Sequence, residues 1–429
     1  SLSADPPPHL PASMSRRECL PARVDVRSLL EGNQEAAQDL VRLVEQHSFC
    51  TLRLPESTVC AVERLHSAAT SFFSCLPDEA KLSTKVLVPE VGGAVALLGY
   101  NQPSPAKELF RCRRSPRQAW PATCPEFRRA VEAVEAELRR VACTCLEPLL
   151  AALPFGVACS GYSDLCDLAT SAAGLDASPE AADPCPLDIF RYRNQCRPDE
   201  QATPNCSPHV DRGLVHIIVA SPVQGLQVLD RASGEWLVVE EGISTLSSGH
   251  TSGRLAAFRE AVLLCNDTLQ QLSAKLDGPA FHAAVHQVVR CPGKPRLSQS
   301  FELRLPSGCN VDHVVSAFPA SRGGGPHQEE EDALTPCPVR FSSDEKFGSH
   351  VRAQSLCEEE RRTDRNYLVE VEDDAADEPS REANSGNGTN AAETRTSALS
   401  SDADKRGPIE TPEPELGSGL KIKRRRRRL

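Results

Sequence analysis

The sequence predicts a mainly β protein with flanking helices and a disordered C-terminal tail. Three observations carry this. Residues 187 to 306 break into many short β-prone runs with turn residues between them, the pattern of a barrel or sandwich. Upstream, Phe127, Val131, Val134, Leu138, Val141 and Cys145 recur at spacings of four and three, which lays one apolar stripe along about five turns of helix. From Glu358 onward the chain is acidic, rich in Ser, Asn and Gly, and almost free of large apolar residues. Such a composition buries too little surface to offset the entropy of ordering.

The elements follow in order. Residues 1 to 22 are Pro-rich and aperiodic, a flexible arm. Arg23–Val26 reads as a short strand. Ala36, Ala37, Leu40, Val41 and Val44 mark an amphipathic helix over Asn33–His47, and Phe49–Leu54 returns to extended residues. A second helix covers Glu56–Cys75 and stops before Pro77. Gly92, Gly93 and Gly99 punctuate what reads as a loop running to Phe110. The striped helix extends from Pro125 to Leu150, with Pro148 in its last turn. Leu187–Tyr192 and Val215–Val219 alternate as strands do, and Leu226–Leu229 and Trp236–Val239 flank a short hairpin connection. Ala261–Cys265, Val285–Val289 and Ser298–Leu305 complete the strands. Between residues 240 and 259 the composition turns to Ser, Gly, Thr and His, an inserted loop. Beyond Pro306 the pattern weakens: Gly323–Pro326 and Glu329–Asp332 read as a solvated linker, and 336–353 recovers some order. Four segments result: the arm to 22, a helical and strand region over 23–180, a β domain over 181–357, and the tail over 358–429.

Bulk chemistry narrows the partners. With 48 basic against 59 acidic residues the net charge is −11, which excludes a global nucleic-acid-binding surface. The 18 cysteines show no zinc-type repetition, and several sit in apolar patterns (Cys145, Cys265), so they read as reduced thiols of an intracellular, cytoplasmic protein. Asn266-Asp267-Thr268 fits the glycosylation pattern but falls where core strand is expected, so it reads as chance. No run of 18 apolar residues occurs, and residues 1 to 17 lack the apolar stretch of a signal peptide. The chain ends in Lys421-Ile422-Lys423 and Arg424–Arg428. That cluster suits an importin, and so the nucleus, or else nucleic acid or an anionic surface; the bland reading is a solvated tail.

The chemistry centres on His209-Val210-Asp211, followed by Gly213. Residues two apart on a strand share a face, so this pair can reach one ion if the segment is extended or just leaving a strand. Two histidines and one carboxylate hold iron in a facial triad, which leaves half an octahedron open. Candidates for the third ligand are His216, His250, His282 and His286; His286 lies in an alternating apolar strand shortly before Arg296-Leu297-Ser298. Arg296 and Ser298 share a face by the same parity, and a guanidinium beside a hydroxyl suits a carboxylate held in a desolvated pocket. The bland readings are a surface His with a turn Asp, and an Arg in a surface salt bridge.

In order along the chain these motifs resemble the isopenicillin-N-synthase-like family of non-haem Fe(II), 2-oxoglutarate-dependent dioxygenases. The resemblance rests on the strand-helix-strand of Asp25–Leu54, on Phe72-Phe73 with Pro77 and Lys81, and on His209-x-Asp211-x-Gly213. It continues through Gly225-Leu226-Gln227-Val228 with Trp236, Asn266-Asp267, His286 and Arg296-x-Ser298, and covers roughly residues 20 to 356. It implies a double-stranded β-helix, or jelly roll, with the helices outside. It also implies Fe(II) on His209, Asp211 and His286, and the distal carboxylate of 2-oxoglutarate on Arg296 and Ser298 with the Tyr192 hydroxyl. The implied reaction is hydroxylation or desaturation of a small organic substrate with molecular oxygen, releasing succinate and CO2, in a monomer and with ascorbate as a candidate reductant. Relatives that draw electrons from their own substrate or from ascorbate carry the Arg-x-Ser pair too, so an oxidase or cyclase not using 2-oxoglutarate stays open. A non-catalytic binding or scaffold protein on the same fold is the remaining alternative. The chain departs from the family pattern in Asn266 for a Gly, His216 where Thr is common, Arg212 for an aromatic, and the long insertion.

Overall fold

The first strand, β1 (Arg23–Asp25), leads into α1 (Val26–Leu30) and α2 (Gln34–His47), then β2 (Phe49–Arg53). The computed structural model describes residues 22–90, 95–155, 159, 161–175, 183–194, 204–240, 258–291 and 293–316. The arm before residue 22, most of the 240–259 insertion, the linker, the 336–353 stretch and the tail with its basic cluster lie outside the described residues. Asn33 caps α2, its side-chain oxygen accepting from the backbone N–H of Glu35 and Ala36 at 2.9 and 3.1 Å. Next come α3 (Glu56–Cys75), α4 (Asp78–Leu82), β3 (Val86–Pro89), β4 (Val95–Ser104) and β5 (Lys107–Cys112). The predicted loop up to Phe110 is therefore corrected to an antiparallel hairpin, β4 on β5, with β3 on its outer edge. Gly99 misleads because it sits inside β4 at φ +78°, where a Cβ would lie 1.8 Å from the carbonyl oxygen of Thr84: it marks a close backbone approach, not a loop.

The striped helix is α5 (Pro125–Ala151), and all six stripe residues are fully buried. After α6 (Tyr162–Ala172) come eight strands: β6 (Leu187–Tyr192), β7 (Cys206–His209), β8 (Val215–Val219), β9 (Leu226–Leu229), β10 (Trp236–Val238), β11 (Glu260–Cys265), β12 (His286–Val288) and β13 (Arg296–Leu303). Between β11 and β12 runs α7 (Asp267–Lys275), and α8 (Val311–Ser316) closes the described chain. The strand expected over Asn266–Thr268 ends at Cys265 instead. Asn266 is buried at the start of α7, a helix the sequence reading did not foresee, nor did it foresee α4, α6 and α8. No described helix is long and apolar enough to cross a membrane.

The strands form a nine-stranded sheet, β1-β2-β11-β8-β13-β6-β5-β4-β3, and a four-stranded sheet, β10-β9-β12-β7. Within β6–β13 the pairing is nested: β9 with β10, β8 with β11, β7 with β12 and β6 with β13, all antiparallel. One long hairpin is thus coiled so that successive pairs fall in opposite sheets, closed by β12 on β9 and β13 on β8. That winding is a double-stranded β-helix, as the resemblance implies. Strand parity divides the core. Ile217, Ala261 and Leu263 face the layer of α3 and α5, whereas Ile218, Val262 and Leu264 join Leu226, Val228 and Val288 inside the roll. Strands buried on both faces read as continuous apolar runs, which explains why β11 does so.

Candidate metal centre

His209 ends β7 and His286 begins β12; in the small sheet their Cα atoms are direct partners. The rings meet with centroids 4.2 Å apart. Asp211 follows two residues after the end of β7, in the link to β8. One ligand atom from each of His209, Asp211 and His286 falls within 4.8 Å of the others. Nε2 of His209 lies 3.7 Å from Asp211 Oδ1, and Nε2 of His286 lies 3.5 Å from Oδ2.

The protein sets both imidazole tautomers. Nδ1 of His209 is 2.7 Å from the carbonyl oxygen of Ser207, and Nδ1 of His286 is 3.3 Å from that of Ala284. A carbonyl only accepts, so each Nδ1 carries the proton and each Nε2 presents its lone pair to the centre. Burial, reinforced by the neighbouring His209, pushes the His286 imidazole down to about 3, so it is neutral in ordinary buffers, as a ligand must be. Burial pushes the Asp211 carboxyl up, but the histidines around it, His216 foremost, outweigh this and hold it well below the usual carboxylate range.

Gly213 is what lets the chain turn here. A Cβ on it would come within 2.3 Å of the Leu303 carbonyl oxygen and 2.7 Å of Glu302 Oε1. The turn is pinned from three sides: the Gly213 N–H donates to Glu302, the Leu214 N–H to Leu303, and the N–H groups of Asp267 and Thr268, at the start of α7, donate to the carbonyls of Asp211 and Gly213. The unforeseen helix therefore holds the backbone of Asp211 in place.

Of the other histidines weighed from sequence, His216 sits behind the centre, its Nδ1 2.5 Å from Asp211 Oδ2. His282 is not in the cluster, and His250 lies outside the described residues. Tyr192 and Arg296 are direct Cα partners on β6 and β13, with the guanidinium carbon 5.8 Å from the tyrosine ring centroid. Ser298 follows on the same strand, also buried. Burial pushes the Tyr192 phenol up to about 12, so it is a hydrogen-bond donor. Arg296 is wholly buried against Gly225, where a Cβ would come within 3.0 Å of its Cδ. Val289 bonds to Gly225 while His286 pairs with Val228, so the backbone against which Arg296 packs lies three residues, about 10 Å, along the chain from the paired histidines.

Two participants escaped the sequence reading. Lys107, on β5, places its ammonium 4.7 Å from the Phe190 ring centroid and 5.9 Å from that of Tyr192. Glu240, which the composition shift assigns to the insertion, belongs to the wall: its Oε1 accepts from Arg296 Nη2 at 2.7 Å. Only the apolar run before it hinted that residue 240 was still inside the roll.

No protein-family model matches the chain. Over 161 residues it is 28% identical to the 2-oxoglutarate-Fe(II) type oxidoreductase hxnY of Emericella nidulans, a match covering 35% of this chain and 39% of that protein. This relative is an iron(II) and 2-oxoglutarate oxidoreductase. The match spans well under two thirds of the relative's length. Among solved structures, the chain is similar to the dioxygenase for auxin oxidation in rice, at 22% identity and a TM-score of 0.45 over 67% of this chain and 83% of that one. It is also similar to a full-length Neurospora crassa protein in complex with alpha-KG and 5-formyluracil, at 17% identity and a TM-score of 0.46 over 70% and 96%. The nested strand pairing given above establishes the architecture independently of either.

Proposed function

We propose that the protein is a non-haem Fe(II)- and 2-oxoglutarate-dependent dioxygenase that oxidises a small organic molecule, by hydroxylation or desaturation, with release of succinate and CO2. The observation that carries this reading is the pair of Nε2 atoms on His209 and His286, each left with its lone pair by an Nδ1–carbonyl bond and lying 3.7 and 3.5 Å from the Asp211 carboxylate oxygens. Two neutral imidazoles and one carboxylate from one side form the donor set that suits Fe(II) and leaves the opposite side open. A second observation tests the fit of the co-substrate: Arg296 Nε and Nη1 are buried and have no hydrogen-bond partner among the described residues. Orphaned buried guanidinium donors call for an acceptor, and a ligand carboxylate supplies one.

Bound iron with 2-oxoglutarate and molecular oxygen supplies the oxidising power. The chain's own residues do the rest. His209, Asp211 and His286 hold the ion; Arg296, with Ser298 beside it and the protonated Tyr192 hydroxyl, holds the distal carboxylate; Leu226, Val228 and Val288 keep the interior of the roll dry.

The test is iron content after anaerobic reconstitution, followed by succinate formation from 2-oxoglutarate. One iron per chain and measurable succinate are expected, both lost in His209→Ala. A wild-type protein that takes up no iron overturns the proposal.

A further inference from the structure

At the carboxylate anchor stands a carboxylate of the protein's own. Glu240 is almost fully buried, and Arg296 Nη2 donates to its Oε1. The same side chain accepts from the backbone N–H of Ser221 at 3.0 Å through Oε1 and from that of Leu226 at 3.1 Å through Oε2. Those donors come from the segment just after β8, the start of β9 and the start of β13, so the carboxylate is built into the wall. The pairing has a physical reason in the ligand-free protein: a wholly buried guanidinium without a counter-charge is strongly destabilising. Yet Arg296 keeps Nε and Nη1 without partners among the described residues, so Glu240 compensates its charge without exhausting its donors.

We propose that Glu240 is a built-in counter-charge that sets the affinity of the anchor for the co-substrate's distal carboxylate. The inference rests on the reading of Arg296 as that anchor. A distal carboxylate arriving there meets a cation already shared with a fixed anion. Two like charges a few ångströms apart in a desolvated site cost affinity on the order of tenfold or more. The wild-type site therefore favours 2-oxoglutarate only modestly over a keto acid of the same length without the second carboxylate. Removing the charge of Glu240 sharpens that preference while leaving the iron ligands untouched.

The experiment uses the full chain loaded with Fe(II) under anaerobic conditions, titrated calorimetrically with 2-oxoglutarate and with 2-oxopentanoate, which keeps the keto acid and lacks the distal carboxylate. In Glu240→Gln, 2-oxoglutarate binding tightens about tenfold or more while 2-oxopentanoate changes by less than about twofold. The melting temperature of the ligand-free variant falls and is regained when 2-oxoglutarate is added. Glu240→Asp draws the charge back by one methylene, shifts 2-oxoglutarate binding in the same direction by less, and serves alone if the glutamine variant does not fold. Weaker 2-oxoglutarate binding, or an equal change for both acids, overturns the proposal and makes Glu240 a positioning residue. If the iron-loaded wild type binds neither acid, the proposed function itself fails, and if it binds both equally the Arg296 anchor fails; both outcomes are distinct from a selective anchor that Glu240 does not tune.

Discussion

Asp211 divides its two oxygens among three histidines. Oδ1 faces His209, and Oδ2 lies between His286 and, at 2.5 Å, His216 Nδ1. A carboxylate held on one side by a charge-assisted hydrogen bond is fixed in place for the proposed ion, and such outer partners of metal ligands typically contribute 10- to 100-fold in metal affinity. His216→Asn should therefore fold normally and weaken Fe(II) binding by roughly 10- to 100-fold, read by anaerobic titration. An unchanged affinity would make His216 a bystander. Residue type alone made His216 visible in the sequence, but as a rival ligand. Parity places a side chain on a face without saying what stands between it and the ion, and only the turn at Gly213 shows that Asp211 comes first. Arg296 was legible for the complementary reason, that a basic residue and a hydroxyl two apart in an apolar strand must share a buried face. Its partner Glu240 was not, because a pairing across 56 positions leaves no local pattern.

At the level of elements, Gly213 and the β5–β6 pair make two tests. Gly213→Ala puts a methyl group against the Leu303 carbonyl and breaks the N–H bond to Glu302. It should cost about 3 kcal/mol of stability, the upper end for an overpacked site, and lose iron binding as the Asp211 turn shifts. Urea melts and iron content check both. On β5 and β6, Arg111 and Asp188 are Cα partners joined in a two-point bond, Nε to Oδ1 at 2.8 Å and Nη2 to Oδ2 at 2.7 Å. Burial raises the Asp188 carboxyl, but Arg111 outweighs it and holds the group below its ordinary value. A depressed folded value means that the stabilisation is present above the unfolded value, about 4, and is lost as pH falls through the folded one. Arg111→Met should cost about 3 kcal/mol at pH 7, and the gap to wild type should narrow below about pH 4. A gap independent of pH in urea melts at pH 7, 4 and 3 would show packing loss instead. Neither β4 nor β5 was legible as a strand. Gly99 sits in β4 because Thr84 crosses it closely, and from sequence a glycine demanded by a neighbour looks like one demanded by a turn. The helices α2, α3 and α5 were readable because each repeats its stripe over several turns, whereas α4 and α8 are too short to show a period.

For the molecule as a whole, the seven short runs of residues 187–306 announced a β domain, though not β7, and the nested pairing came only with the resemblance. Pairing β6 with β13 across about a hundred residues is a tertiary choice that no local run encodes. The same winding explains why metal and fold should be linked. His209 and His286 lie on two paired strands of the small sheet, and Asp211 on the link that carries the chain across to the large one. An ion held by all three ties the coil at its middle turn, and an unfolded chain offers no such site. Binding to the folded state alone stabilises it by RT ln(1 + [L]/Kd), about 2.7 kcal/mol when free Fe(II) stands at a hundred times its dissociation constant. For a domain of this size that raises the melting temperature by several degrees. Anaerobic melts of the full chain with and without Fe(II) should show the rise in wild type. His209→Ala should melt near the metal-free wild type and show no response to iron, because the loss of a partly exposed imidazole leaves the core of the roll intact. A His209→Ala protein that is already unstable without metal would mean that the histidine belongs to the packing of β7 on β12 rather than to an ion.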